Sequence, residues 1–301
     1  MSSIRIARPL TTAPPRVLPL RHVPMLATML LTALPVLAAP RIIAAQSPGD
    51  PYIEQMTWTE IRDAMRAGKT TVIVPIGGTE QNGPHMVMGK HNYIITFAAG
   101  EMARQLGNAL VAPTVAWVPE GSYDEEDFGE KPGVITNPAP SYQNLLEAAG
   151  RSLASHGFTE VLFIGDSGGD QNGMREVAEK LTTEWAGGPT RVYALTDYYE
   201  KGQEYSRAWL QAAYGYDMET IGSHAGITDT SAVMYVFAAG VRNDRRMPGG
   251  GSPDAGVTGD PTRATVEIGR MVVSFKVVAA VQQYRELTAP PRRGRGGGEG
   301  G

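Results

Sequence analysis

The sequence predicts an α/β fold, a three-layer αβα sandwich on a mostly parallel sheet. Three observations carry this expectation. Runs such as Thr71–Ile76 and Val161–Ile164 are short and continuously apolar, as strands buried on both faces are. Stretches of helical length and polarity separate them, so strand and helix alternate along the chain. Polar, glycine-bearing loops leave two of these runs, at 77–91 and 165–172. In open parallel sheets ligands bind beyond the carboxyl ends of strands, so the chemistry is expected in those loops.

Residues 52–68 read as a capped helix, with Thr57 as N-cap, Glu60 three residues on and Gly68 as the stop. Strand 71–76 and the polar loop 77–91 lead to a helix over about 93–106. Leu110–Trp117 reads as a second strand, and 119–140 as loop with an acidic cluster at Asp124-Glu-Glu-Asp127. Helix 141–156, strand 161–164, a glycine loop and helix 172–186 follow. Strand 191–195 and helix 200–213 come next, then a polar segment Ser223–Ser231 and an apolar stretch Ala232–Ala239. A loop over 242–260 precedes a last helix over about 261–286. Neither an internal repeat nor an interdomain linker interrupts the order.

Composition bounds the function. The chain has 301 residues, 36 glycines, 22 prolines and no cysteine. Disulfides, cysteine-based zinc sites and thiol nucleophiles are therefore excluded. The formal charge of −4 argues against a nucleic-acid binder, but it averages unlike parts. Residues 1–46 hold five arginines and no acid, with an apolar run over 25–39 and small residues at Ala38-Ala39 and Ala44-Ala45. That is the pattern of a signal peptide, and the run is short for a membrane span. The chain is thus expected to be exported, periplasmic or secreted, with no stable membrane insertion after cleavage. Residues 290–301 are a Gly/Arg-rich tail expected to be disordered. Without those two segments the charge of the intervening domain, 47–289, is −11.

Three segments carry candidate chemistry. Glu80, His85 and His91 fall within twelve residues, and carboxylate with imidazole suits a divalent metal or acid–base work. Gly165-Asp-Ser-Gly-Gly-Asp170 matches the string around the nucleophile of chymotrypsin-like proteases. It also fits the G-x-S-x-G elbow of serine hydrolases, with Asp197 or Asp229 and His224 available as partners for Ser167. The protease reading fails on context, because those enzymes are antiparallel barrels and no strand-borne histidine lies upstream; His156 reads as a helix cap. The third segment, Ser223–Ser231, holds His224 and Asp229.

Taken together, these segments resemble the creatininase (creatinine amidohydrolase) family. Pro75-Ile-Gly-Gly-Thr-Glu-Gln-Asn-Gly-Pro-His85 resembles its G-S-x-E-Q-H-G-P-H signature. Thr57–Glu60, Ala112-Pro113, Val118–Gly121, Lys131–Ile135, His156–Asp170, His224–Ser231 and Gly256–Ala264 match further segments in family order, over about residues 52–286. The resemblance implies an αβα fold, hydrolysis of a C–N bond in a small linear or cyclic amide, and a homo-oligomer, hexameric in many members. Family members typically use two divalent metals to activate water and polarise the carbonyl.

The chain departs from the family pattern at three ligand positions, where Asn82, His91 and Ser167 replace His, Asp and His. The expectation is one ion, Zn or Mn, on Glu80 and His91, with Asp166 or Asp170 completing the shell. The resemblance puts His224 in the proton-shuttling position and Asp229 where the family has Glu, with His85 in reserve. Trp117 and Tyr123 on a lid over 117–127, with Ser167 and Gly168, are expected to meet substrate. A metal-free serine hydrolase and a non-catalytic small-molecule-binding descendant of the family are the alternatives.

Overall fold

The computed structural model describes residues 50–124, 130–247 and 254–290. The expected signal peptide, all but the first residue of the tail and most of the acidic cluster lie outside these residues. Among the described residues no helix is long and apolar enough to cross a membrane.

Four strands form one parallel sheet in the order β2-β1-β3-β4: β1 Thr71–Ile76, β2 Ala109–Val111, β3 Glu160–Gly165 and β4 Arg191–Ala194. β1 pairs with β3 along its whole length, from Thr71 opposite Glu160 to Ile76 opposite Gly165. Their carboxyl ends are therefore level. The chain leaves β1 toward β2 on one side and returns to β3 on the other, which makes the β1/β3 end the topological switch point. The two chemistry-bearing loops emerge there.

The sheet is covered on both faces. Ile73, Leu162 and Ile164 point to one face and pack with α2 (Lys90–Leu106), α5 (Glu200–Tyr214), α7 (Ile227–Val236) and α8 (Val266–Thr288). Val72, Val74, Ile76, Val161 and Phe163 point to the other, against α3 (Ala139–Ser155) and α4 (Gln171–Glu184), with α1 (Trp58–Arg66) alongside. This alternation on apolar strands is the burial pattern of a three-layer sandwich. A short α6 (Met218–Ile221) precedes α7.

Several boundaries differ from the sequence reading. α1 starts only at Trp58, because Thr57 caps it in a full capping box with Glu60; Ile53–Gln55 is a separate 3-10 turn. The second strand stops at Val111, since Pro113 has no N–H to continue a ladder, and Val115 makes only an isolated bridge to Ile76. The apolar stretch 232–239 is mostly the second half of α7. α2 begins at Lys90, so His91 lies in a helical first turn rather than in the loop. His156 is the C-cap of α3, as read.

α7 and α8 cross at Gly269. A Cβ there would lie 1.8 Å from the Ser231 carbonyl oxygen, so even one methyl group forces two backbones apart. Gly269→Ala is expected to cost about 1–3 kcal/mol of stability, read as a lowered urea midpoint at unchanged slope.

Candidate functional site

Five elements converge at the carboxyl ends of β1 and β3. The loop after β1 supplies Glu80 and Gln81, and the first turn of α2 supplies Lys90 and His91. The loop after β3 supplies Asp166, Ser167 and Asp170. The turn into α7 supplies His224 and Asp229, and the middle of α8 supplies Lys276. Most of these groups, with Arg207 of α5, line one pocket of about 110 Å³. That is small beside the roughly 300–1,000 Å³ of drug-sized sites, so a small molecule or one end of a longer one fits.

The charged groups form one chain. Asp229 Oδ2 accepts from Lys90 Nζ at 2.8 Å and also from the Ala225 amide at 2.9 Å. Lys90 Nζ reaches Glu80 Oε1 at 3.1 Å. The same Glu80 oxygen meets His91 Nε2 at 2.8 Å, and His91 Nδ1 meets Asp166 Oδ2 at 2.7 Å. Lys276 Nζ donates to Asp166 Oδ1 at 2.5 Å and lies 5.3 Å from the Tyr198 ring centre. Gly202 permits this approach, because a Cβ there would meet the Lys276 stem at 2.8–2.9 Å.

Burial and pairing set the protonation. Burial opposes the charge on Glu80, but Lys90 and His91 outweigh it and hold the carboxyl at about 2. Burial and the Lys90 charge oppose protonation of His91, yet its hydrogen bonds to Asp166 and Glu80 raise it to about 9. Burial likewise resists ionisation of Asp229 and Asp166, and the facing ammonium groups keep both below the usual carboxylate range. Glu120 is different. Burial, then the nearby Glu80 charge, lifts it to about 7. Its Oε1 is buried with no hydrogen-bond partner, and its Oε2 is 3.5 Å from the Ser167 hydroxyl. Gly78 makes room for it, since a Cβ there would strike Glu120 Oε1 at 2.0 Å.

His224 is held neutral by burial and by Lys90. Its Nε2 faces both the Gln81 carbonyl oxygen at 2.9 Å and the Gln81 side-chain Nε2 at 3.0 Å, and its Nδ1 is 3.7 Å from Glu80 Oε1. An acceptor and a donor at the same nitrogen satisfy either tautomer, so the ring can carry its proton on either side. The adjacent Ala225 is the one non-glycine residue with positive φ among the described residues, at 54°, which bends the chain so that Asp229 can cap it.

The structure places the residues expected from sequence as follows. Glu80, His91, Asp166, Ser167, Gly168, His224 and Asp229 line the pocket. Asp166 stands behind His91, on the ring nitrogen away from Glu80. Asp170 is buried beneath the loop, where Gln171 Nε2 donates to it at 2.6 Å and burial raises its pKa. His85 is buried outside the pocket, with its Nε2 against the Thr230 hydroxyl at 2.9 Å. Trp117 and Tyr123 are exposed and not part of the lining. Among the described residues, Ser167 makes no hydrogen bond to a histidine. Asp229 is committed to Lys90, and Asp197 pairs with Lys201 at 2.6 Å. The Ser-acid-His arrangement is thus not assembled.

Reasoning from sequence missed Lys90, Glu120, Arg207 and Lys276. Glu120 lay within the matched segment Val118–Gly121, and Lys276 is the single charge in the largely apolar stretch 271–281 of α8. A metal-sized cluster does form, from Glu80, His91 and Glu120, whose donor atoms lie within 4.8 Å of one another.

The family model for creatinine amidohydrolase matches residues 54–284. The mycofactocin precursor peptide peptidase of Mycolicibacterium smegmatis is 25% identical over 245 residues, 74% of this chain and 87% of the relative. A manganese creatininase superposes with a TM-score of 0.64 at 21% identity, over 80% of this chain and 100% of the other. A creatininase mutant of the Zn-Zn type superposes at 0.63 and 21%, over 80% and 99%. The chain therefore belongs to the creatinine amidohydrolase family of hydrolases.

Proposed function

We propose that this chain hydrolyses a C–N bond in a small amide, with one divalent cation, Zn or Mn, held by Glu80, His91 and Glu120. The observation that carries the reading is the orphaned Glu120 Oε1. A buried carboxylate oxygen without a partner is costly, and it lies beside two further donors. The charge balance points the same way. Ligation displaces the proton of His91 and competes with the proton that burial favours on Glu120, so proton release offsets much of the dication's charge. Asp166, on the far nitrogen of His91, orients the ring as outer partners of metal-bound histidines do. A second cation does not fit, because the Lys90 ammonium already lies between Glu80 and Asp229.

When bound, the cation would polarise the amide carbonyl and lower the pKa of a bound water. The chain does the rest. His224, free to carry its proton on either nitrogen, takes a proton from the attacking water and delivers it to the departing nitrogen. Water oxygen bonds to the carbonyl carbon, the C–N bond breaks, and a carboxylate and an amine leave. Lys90 keeps Glu80 ionised, and Asp229 holds Lys90 and the turn carrying His224. The relatives named for creatinine and for a precursor peptide support an amide substrate, and the small pocket supports a compact one. The N-terminal arginines and apolar run support export.

Metal analysis and calorimetry test this. Chelator-stripped protein is expected to bind one Zn²⁺ or Mn²⁺ per chain with proton release, and to regain activity at one equivalent. Glu120→Gln should weaken binding by 10-fold or more. Two ions per chain, or activity indifferent to chelation, would overturn the reading. Near-total loss in Ser167→Ala would favour the serine mechanism instead.

A further inference from the structure

One wall of the pocket has no part in this chemistry. Tyr199, at the N-cap of α5, and Gln203 and Arg207 within it recur every four residues, so the helix turns all three toward the pocket. Arg207 is half-buried, and its Nη2 donates to Gln203 Oε1 at 2.7 Å. The pocket's other side-chain cations are matched: Lys90 by Glu80 and Asp229, Lys276 by Asp166. Arg207 forms no ion pair among the described residues. A guanidinium has five donors in a rigid fork, and one neutral acceptor leaves most of them unspent in a part-desolvated place. Building such a group into a pocket wall, with no acid among the described residues to neutralise it, makes sense when an anion arrives with the ligand.

We infer that Arg207 anchors a carboxylate of the substrate, so that the preferred substrates are small amides bearing a free carboxylate. The fork fits a planar carboxylate with two parallel hydrogen bonds, and the pocket volume suits a ligand the size of an ω-amide of a short dicarboxylic acid. Gln203 holds the guanidinium against α5, and the reacting carbonyl lies toward Glu80 and His224. This assignment rests on the hydrolase reading for its consequence, but the binding it describes does not.

Two experiments separate those dependences. In the first, succinamate and glutaramate are compared with their neutral diamides. The wild-type metal-loaded chain is expected to prefer the carboxylates by about 10- to 100-fold in kcat/KM, mostly through KM. Arg207→Gln should bring that ratio to near one, and Arg207→Lys should restore part of it. In the second, succinate and succinamide are titrated by calorimetry, which needs no turnover. Succinate should bind the wild type and lose at least 10-fold in Arg207→Gln, while succinamide binds neither appreciably. No preference in the wild type, or a preference that survives Arg207→Gln, overturns the assignment. Inorganic phosphate binding as tightly as succinate overturns it too, by making the site a general anion trap. Absence of turnover with intact, Arg207-dependent succinate binding would refute the hydrolase reading alone.

Discussion

Lys90→Met is expected to lower the stability of the protein by about 3–5 kcal/mol. Methionine nearly matches the length and volume of the lysine stem, so packing is largely kept and the charge is what disappears. The ammonium is buried between two carboxylates, 2.8 Å from Asp229 and 3.1 Å from Glu80. Without it two largely buried acids face each other across the vacated place, and at least one must take up a proton or force the site open. Chemical denaturation of the chelated variant reads the loss. The double variant Lys90→Met/Asp229→Leu should recover part of it, because the stranded charge goes with its partner. A loss below about 1 kcal/mol would show that the carboxylates find other partners.

Lys276→Met should cost a comparable amount, about 3 kcal/mol or more, by stranding Asp166. Asp166 is 1% exposed, and its remaining charged partner is His91. A second effect should accompany the first. Asp166 then leans wholly on His91, which becomes harder to deprotonate, and metal affinity near neutral pH should fall at least 10-fold. Lys276→Arg should not rescue fully, because the buried end of the side chain sits 2.5 Å from Asp166 Oδ1 and 5.3 Å from the Tyr198 ring centre, a place fitted to a compact ammonium rather than a longer planar fork. Full stability with Lys276→Arg would contradict the close fit.

The sheet was legible because buried parallel strands announce themselves as unbroken apolar runs, as 71–76 and 161–164 do. Boundaries slipped where one residue decides. Pro113 ends β2 early, and Lys90 starts α2 three residues sooner than its apolar stripe implies. Glu80 and His91 were visible as neighbours because they share one loop and the turn that follows it. Asp166 was expected beside His91 only through the family resemblance, and as a fellow ligand rather than the partner of its ring nitrogen; its pairing with Lys276, 110 residues away, was not visible. Such pairs carry no local periodicity, and a lysine in an apolar helix reads as a surface cation until the fold turns it inward. Glu120 was hidden for another reason. What singles it out is one buried oxygen, Oε1, left without a hydrogen bond, and that leaves no mark on sequence.

The contact between Lys276 and Asp166 also bears on the order in which the protein can be completed during synthesis. Every strand, and every acid of the site, leaves the ribosome before the helix that carries Lys276. Until that helix docks, Asp166 is expected to lie uncovered at the carboxyl end of the central strand β3, hydrated and free to exchange its proton. The segment that shuts water out of that face is the one that brings the counter-charge, so sealing and neutralisation happen in a single event. A nascent chain halted before residue 276 should therefore remain protease-sensitive over β3 and α4, however well its first two hundred residues are made.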